Sequence, residues 1–132
     1  MASAANTSAT FPKVCNNTNL IYTSADGTTP KIVYTGTDPF SRIDFVRCFT
    51  DSLVDLICKA TVVDNSSVET PLGLFTVKAT SGTVTTVPWT DVLPLLSLNT
   101  SFLKLGCIMK LNLTVALAAG KSLWVTTNGG DY

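Results

Sequence analysis

Apolar residues fall at every second position over Cys107, Met109, Leu111, Leu113, Val115 and Leu117, with Lys110, Asn112 and Thr114 between them. A period of two belongs to a strand with one buried face, because successive side chains leave a strand on opposite sides. Ala118-Ala119-Gly120 ends the run, and alternation resumes towards Thr127. A three-residue hairpin loop closes on a left-handed residue, a role that Gly120 fills without steric cost. The pattern predicts a long hairpin at the centre of a β domain, with Leu117 opposite Lys121, Val115 opposite Leu123 and Leu113 opposite Val125.

Earlier segments read the same way. Leu20 to Thr23 is a short strand, Ala25-Asp26-Gly27 a turn, and Lys31 to Thr35 a second strand closed by Gly36-Thr37-Asp38-Pro39. Arg42 to Thr50 places Ile43, Phe45 and Phe49 on one side. After Asp51-Ser52, the residues Val54, Leu56, Cys58, Ala60 and Val62 alternate against Asp55, Lys59 and Thr61, which predicts a second long hairpin. A two-residue turn there sets Asp44 opposite Lys59, and a longer loop shifts the register. Asp64 to Ser67 is a loop, Leu72 to Ala79 a strand, and Val84 to Val87 a short strand stopped by Pro88.

Trp89 to Leu98 alone has a helical character. Thr90 is placed to cap a turn, Asp91 suits a helix N-terminus, and Val92, Leu93, Leu95 and Leu96 cover one side. Pro94 limits the segment to about one turn. This predicts a short helical turn near residues 90–97, a lid across the open end of a sandwich, with Trp89 packed in the core. Gly106 marks a bulge or bend. Together the segments predict an all-β domain: an antiparallel β-sandwich or jelly-roll-like barrel of eight or nine strands. Residues 1–19 are polar and small apart from Phe11-Pro12, too poor in apolar surface to hold a fold. They read as an N-terminal arm ahead of a single domain at 20–132. Such an arm either lies across a neighbouring subunit, with Phe11 and Val14 as anchors, or frays.

Composition narrows the function. With 132 residues the chain has the size of one domain and can bury a core without metal or disulfide staples. Charged residues make 14% of it, nine basic against nine acidic. The average soluble protein carries about 25%. So little charge repulsion leaves a lone copy poorly dispersed, which points to surface covered by further copies or by a larger partner; the alternative is a Thr/Ser-rich β monomer that is simply charge-poor and kept dispersed by its hydroxyls. A neutral balance also argues against nucleic acid, whose phosphates call for a basic excess. No apolar run reaches the length of a membrane span, and the first residues lack the positive and apolar regions of a signal peptide, so the reading places synthesis in a cytoplasm. Cys15, Cys48, Cys58 and Cys107 include no Cys-x-x-Cys pair, and three sit in apolar strand patterns, which predicts buried free thiols. A single Cys48–Cys58 bridge is the next choice. The N-x-[ST] matches at Asn6, Asn16, Asn65, Asn99 and Asn112 follow from a Thr- and Asn-rich composition without a secretory route.

Chemistry is sparse. The chain has no histidine, which removes Ser-His-Asp and Cys-His catalysis and most zinc sites. Glu69 is the sole glutamate, and the aspartates are scattered; Asp26, Asp38 and Asp64 sit in turns, where a carboxylate caps local backbone. No catalytic, cofactor or metal residues emerge. Tyr22, Tyr34, Trp89, Trp124 and Tyr132 could stack on sugars if several shared a surface, although core packing is the default.

A strand ending Lys31-Ile32-Val33-Tyr34-Thr35-Gly36, the start Ser41-Arg42-Ile43-Asp44, a long middle hairpin, Thr114 to Leu117 with Ala119-Gly120-Lys121, and the terminal Gly129-Gly130-Asp131-Tyr132 together resemble the capsid decoration, or cement, proteins of tailed bacteriophages. The resemblance covers residues 20 to 132 and rests on turn and strand-edge residues; four cysteines and a more apolar middle depart from it. It implies a non-enzymatic protein of the virion surface that binds the major capsid protein, acting as a trimer. Phe11, Val14, Tyr22 and Tyr132 are then the expected contact residues. The alternative is a lectin-like or tail-associated attachment module that binds host glycans.

Overall fold

Alternation becomes nine strands in a computed structural model that describes residues 14–36, 41–96, 101–103 and 107–131. The strands are β1 (Val14–Thr23), β2 (Lys31–Thr35), β3 (Ser41–Thr50), β4 (Leu56–Val63), β5 (Glu69–Val77), β6 (Thr90–Asp91), β7 (Ser101–Leu103), β8 (Ile108–Leu113) and β9 (Ser122–Asp131). One sheet has the order β1-β9-β3-β6, with β7 also on β3, and the other β2-β8-β4-β5; every pairing is antiparallel. Since β9 lies along one side of β3, β6 and β7 share its other side. They are two halves of one edge strand, interrupted by the helical turn α1 (Val92–Leu95). Counted as one, they complete the eight-stranded double Greek key of a jelly roll, with two separate sheets and no closed barrel.

Both predicted hairpins are absent. β8 pairs with β2 and β4, whereas β9 pairs with β1 and β3 in the opposite sheet. β3 and β4 likewise belong to different sheets, so Asp44 does not face Lys59 and instead bonds Arg42 at 2.7 Å. Gly120 does adopt the expected positive φ of 77°, and Lys121 N–H closes a turn on the Ala118 carbonyl at 3.1 Å. The turn exists, but the chain on either side of it crosses between sheets. Leu113 and Val125 both point into the core, facing it from opposite walls. Alternation tells which side of a strand is buried; it is silent on which sheet the strand joins.

Register shifts re-aim several side chains. Asp44 is the extra residue of a bulge in β3, between the pairs Ile43–Gly129 and Phe45–Asn128. It places Val46, Cys48 and Thr50 inward with Ile43, and turns Phe45 and Phe49 to the outer face, against the expectation that Ile43, Phe45 and Phe49 share a side. In β2 the shift between Ile32 and Tyr34 leaves consecutive residues Val33 and Tyr34 both buried.

Side-chain hydrogen bonds tie the sheets together. Tyr22 Oη donates to the Leu111 carbonyl at 2.6 Å, Thr127 Oγ1 to Val33 at 3.0 Å, and Tyr34 Oη to Arg42 at 3.3 Å. Around them pack Ile43, Val46, Met109, Leu111, Leu113, Leu123 and Val125. Gly129 sits under the Tyr34 hydroxyl, where a Cβ would meet both that hydroxyl and the Arg42 carbonyl.

At the start, β1 begins at Val14, so residues 14–19, read as part of the arm, pair with β9 through Val14–Asp131 and Thr18–Thr127. The expected strand at Val84–Val87 is a run of turns within the loop 78–89. Thr90 lies in β6, and Asp91 is the residue at the head of α1, without a side-chain cap.

Candidate binding surface

On the outer face of the first sheet the register places Ile21, Trp124 and Phe49 in one row across β1, β9 and β3. Neighbours in such a row pack laterally. Loop 78–89 folds over the end of this row. Gly82 N–H donates to the Thr50 carbonyl at 2.8 Å, Ser81 Oγ accepts from Thr50 N–H at 3.1 Å, and a Cβ on Gly82 would lie 3.1 Å from Trp124 Cζ3. Trp124 and Phe49 are therefore half-buried, a small satellite cluster beneath a loop.

Trp89 stands at the end of that cluster. Its ring meets Phe49 edge-on, with centroids 6.1 Å apart, and the Arg47 guanidinium lies 4.9 Å from its centre and 4.1 Å from that of Phe45. Arg47 also donates from Nε to Asp91 Oδ1 at 3.1 Å, linking β3 to β6. Trp89 remains 47% exposed, contrary to its expected place in the core, because β6 is only two residues long and brings the ring to the rim of the sandwich.

Beside it opens a groove of about 680 Å³ between β5 and the β6–α1 corner, lined by Leu74, Phe75, Trp89, Pro94, Leu95 and Asp91 among others. Leu74 is 61% and Leu95 55% exposed, while Val92 and Leu93 anchor the same turn in the core. The predicted lid thus covers the core with one half and presents the other outwards. Among the described residues β5 pairs only with β4, and its far edge borders this groove. Pro71 and the shift at Gly73, whose φ is 146°, interrupt the first half of that edge; from Leu74 onward the strand is regular.

The expected contact residues are not gathered here. Tyr22 is 1% exposed; its ring is in the core, with Lys31 Nζ 5.1 Å above it, and burial pushes its phenol well above the usual range. It braces the sheets and offers no contact surface, which corrects its expected role. Val14 opens β1 opposite Asp131, and Phe11 and Tyr132 lie outside the described residues. The sequence assigns no contact role to Arg47 or Leu74, and Leu95 enters there only on the apolar side of the lid. The i, i+2 spacing of Phe45 and Arg47 places them on one strand face, but Arg47 meets Trp89 only through the β3–β6 pairing, which no sequence pattern signals.

Four carboxylates serve the backbone. Asp26 accepts Thr23 N–H at 2.7 Å and faces Lys31 Nζ at 3.1 Å, and these, the backbone bond foremost, lower its pKa. Asp64 accepts from Ser66 and Val68, Asp51 from Ser122, and Asp55 from Ala79, which with Lys78 lowers the Asp55 pKa. Asp38 lies outside the described residues. Among the described residues no three metal-ligating side chains come together, and no helix is long and apolar enough to cross a membrane. Cys48, Cys58 and Cys107 are buried free thiols, as their apolar strand patterns predicted, and no Cys48–Cys58 bridge forms. Comparison with protein families, curated proteins and solved structures finds no match to this chain.

Proposed function

We propose that this chain is a structural virion protein that binds the outside of a phage capsid and holds neighbouring major capsid protein subunits together, working as a homotrimer and catalysing nothing. The observation that carries the reading is the open side of the sandwich, where exposed Leu74, Trp89 and Leu95 line a groove beside the far edge of β5. An apolar surface of this kind marks a site of contact with another chain. The jelly roll adds support by analogy of fold alone, since it recurs in viral capsid and lectin domains.

Holding a shell together needs no chemistry. A trimer that touches several capsid subunits at once makes each further contact effectively intramolecular, so modest interfaces sum to a large resistance against separation. A scaffold whose sheets are tied through Tyr22, Tyr34 and Thr127 transmits load without shearing. The test is co-sedimentation with expanded empty phage heads built from major capsid protein. Saturable binding is expected; a saturable signal on a glycan array with no binding to heads would replace this reading with the attachment module.

A further inference from the structure

We infer that the groove between β5 and the β6–α1 corner receives the Phe11-Pro12 segment of a second copy of this chain, so that the copies of the proposed oligomer are joined arm to groove. The inference deepens the proposed virion role and rests on it for its purpose.

Reach excludes the chain's own groove. Val14 pairs with Asp131 and Asp131 with Ser41, whereas Thr90, at the groove, pairs with Cys48 near the other end of β3. Along β3 that offset is about 20 Å, and the strand spacings from β1 across to β6 add about 14 Å sideways. Thr90 therefore lies roughly 25 Å from Val14, and Pro94, at the near end of the groove beside Asp44 and Arg47, roughly 17 Å. Phe11 is three residues before Val14 and reaches about 10 Å at full extension. A phenylalanine held so near β1 can enter this groove only on a neighbouring molecule.

The groove suits that segment. Its walls carry Leu74, Phe75, Pro94 and Leu95 beside the polar Thr76, Lys78, Thr90 and Asp91, and Trp89 is held in one orientation by Phe49 and Arg47, a preformed platform for a second ring. The far edge of β5 from Leu74 onward offers backbone donors and acceptors to an extended stretch; Pro12 lacks an N–H but leaves Thr10, Phe11 and Lys13 to pair. An arm that enters a different patch on the next copy makes a head-to-tail contact, which closes into a ring where the rotation between copies is a whole fraction of a turn.

The experiment measures the mass of the full chain in solution, without heads, by light scattering on a sizing column, for wild type, Phe11→Asp and Leu95→Asp. Leu95 is exposed, so its substitution spares the core, and circular dichroism and the melting curve verify both folds. Wild type is expected as a discrete oligomer and each variant as a 14.0 kDa monomer. Mixing the two variants is expected to restore a 1:1 pair, because one supplies an intact groove and the other an intact arm. A monomeric wild type, or either variant keeping the oligomeric mass, overturns the inference; an unchanged Leu95→Asp oligomer would leave the groove to a foreign peptide or a sugar. Since no heads are present, failure to bind capsid cannot be mistaken for failure of the arm.

Discussion

Tyr22 and Leu111 are joined across the core: the phenol of one sheet donates to a backbone carbonyl of the other at 2.6 Å, between residues 89 positions apart. The bond explains why a tyrosine rather than a phenylalanine sits at a site with 1% exposure. Tyr22→Phe is expected to cost about 1–2 kcal/mol and Tyr22→Ala about 3–5 kcal/mol, the first for the lost hydrogen bond and the second for the cavity as well. Urea denaturation measures both, and equal stability of wild type and Tyr22→Phe would contradict this role.

Gly129 is a position of close approach. A methyl group there meets the Arg42 carbonyl and the Tyr34 hydroxyl, so Gly129→Ala must push β9 from β3 or displace Tyr34. A loss of about 3 kcal/mol is expected by the same denaturation measurement. Gly120→Ala meets nothing within 4 Å and costs only its left-handed backbone, about 1–2 kcal/mol.

Burial keeps Cys48 and Cys58 as thiols. It raises the Cys48 pKa well above the ordinary value and pushes that of Cys58 up to about 12. The thiolate is the reactive form, so neither residue should react with a thiol reagent at pH 8 until the protein is unfolded. Because the folded pKa is the higher one, the stability tied to Cys58 is complete below its unfolded value of 9.0 and is lost as the pH rises from there towards 12. The urea midpoint should therefore fall between pH 8 and pH 10.5; a rise would reverse the sign of the account.

Trp89 and Trp124 differ in access. Acrylamide should quench Trp89 strongly in a Trp124→Phe variant, and Trp124 weakly in a Trp89→Phe variant, since loop 78–89 covers only the latter ring. Equal quenching would place Trp89 back in the core.

Much of the architecture was legible in the residues. Alternation located β2, β3, β4, β5, β8 and β9, and turn chemistry located Gly120 and the carboxylate turns at Asp26 and Asp64. The partners of those strands were not. Leu113 and Val125 look alike whether they lie side by side in a hairpin or face each other across a sandwich, because burial is the same in both. The Asp44 bulge was hidden for a related reason: Phe45 and Val46 are both apolar, so the phase of β3 could slip by one without an obvious break. The groove was invisible since Leu74, Trp89 and Leu95 are ordinary core residues until β6 proves too short to cover them.

What distinguishes a cement from a mere passenger is mechanical, and the most direct measurement is the temperature at which DNA-filled heads rupture, with and without saturating amounts of this protein. The account predicts a clear upward shift that Leu95→Asp and Phe11→Asp both diminish. Heads that carry the protein at full occupancy yet rupture at the same temperature would contradict it.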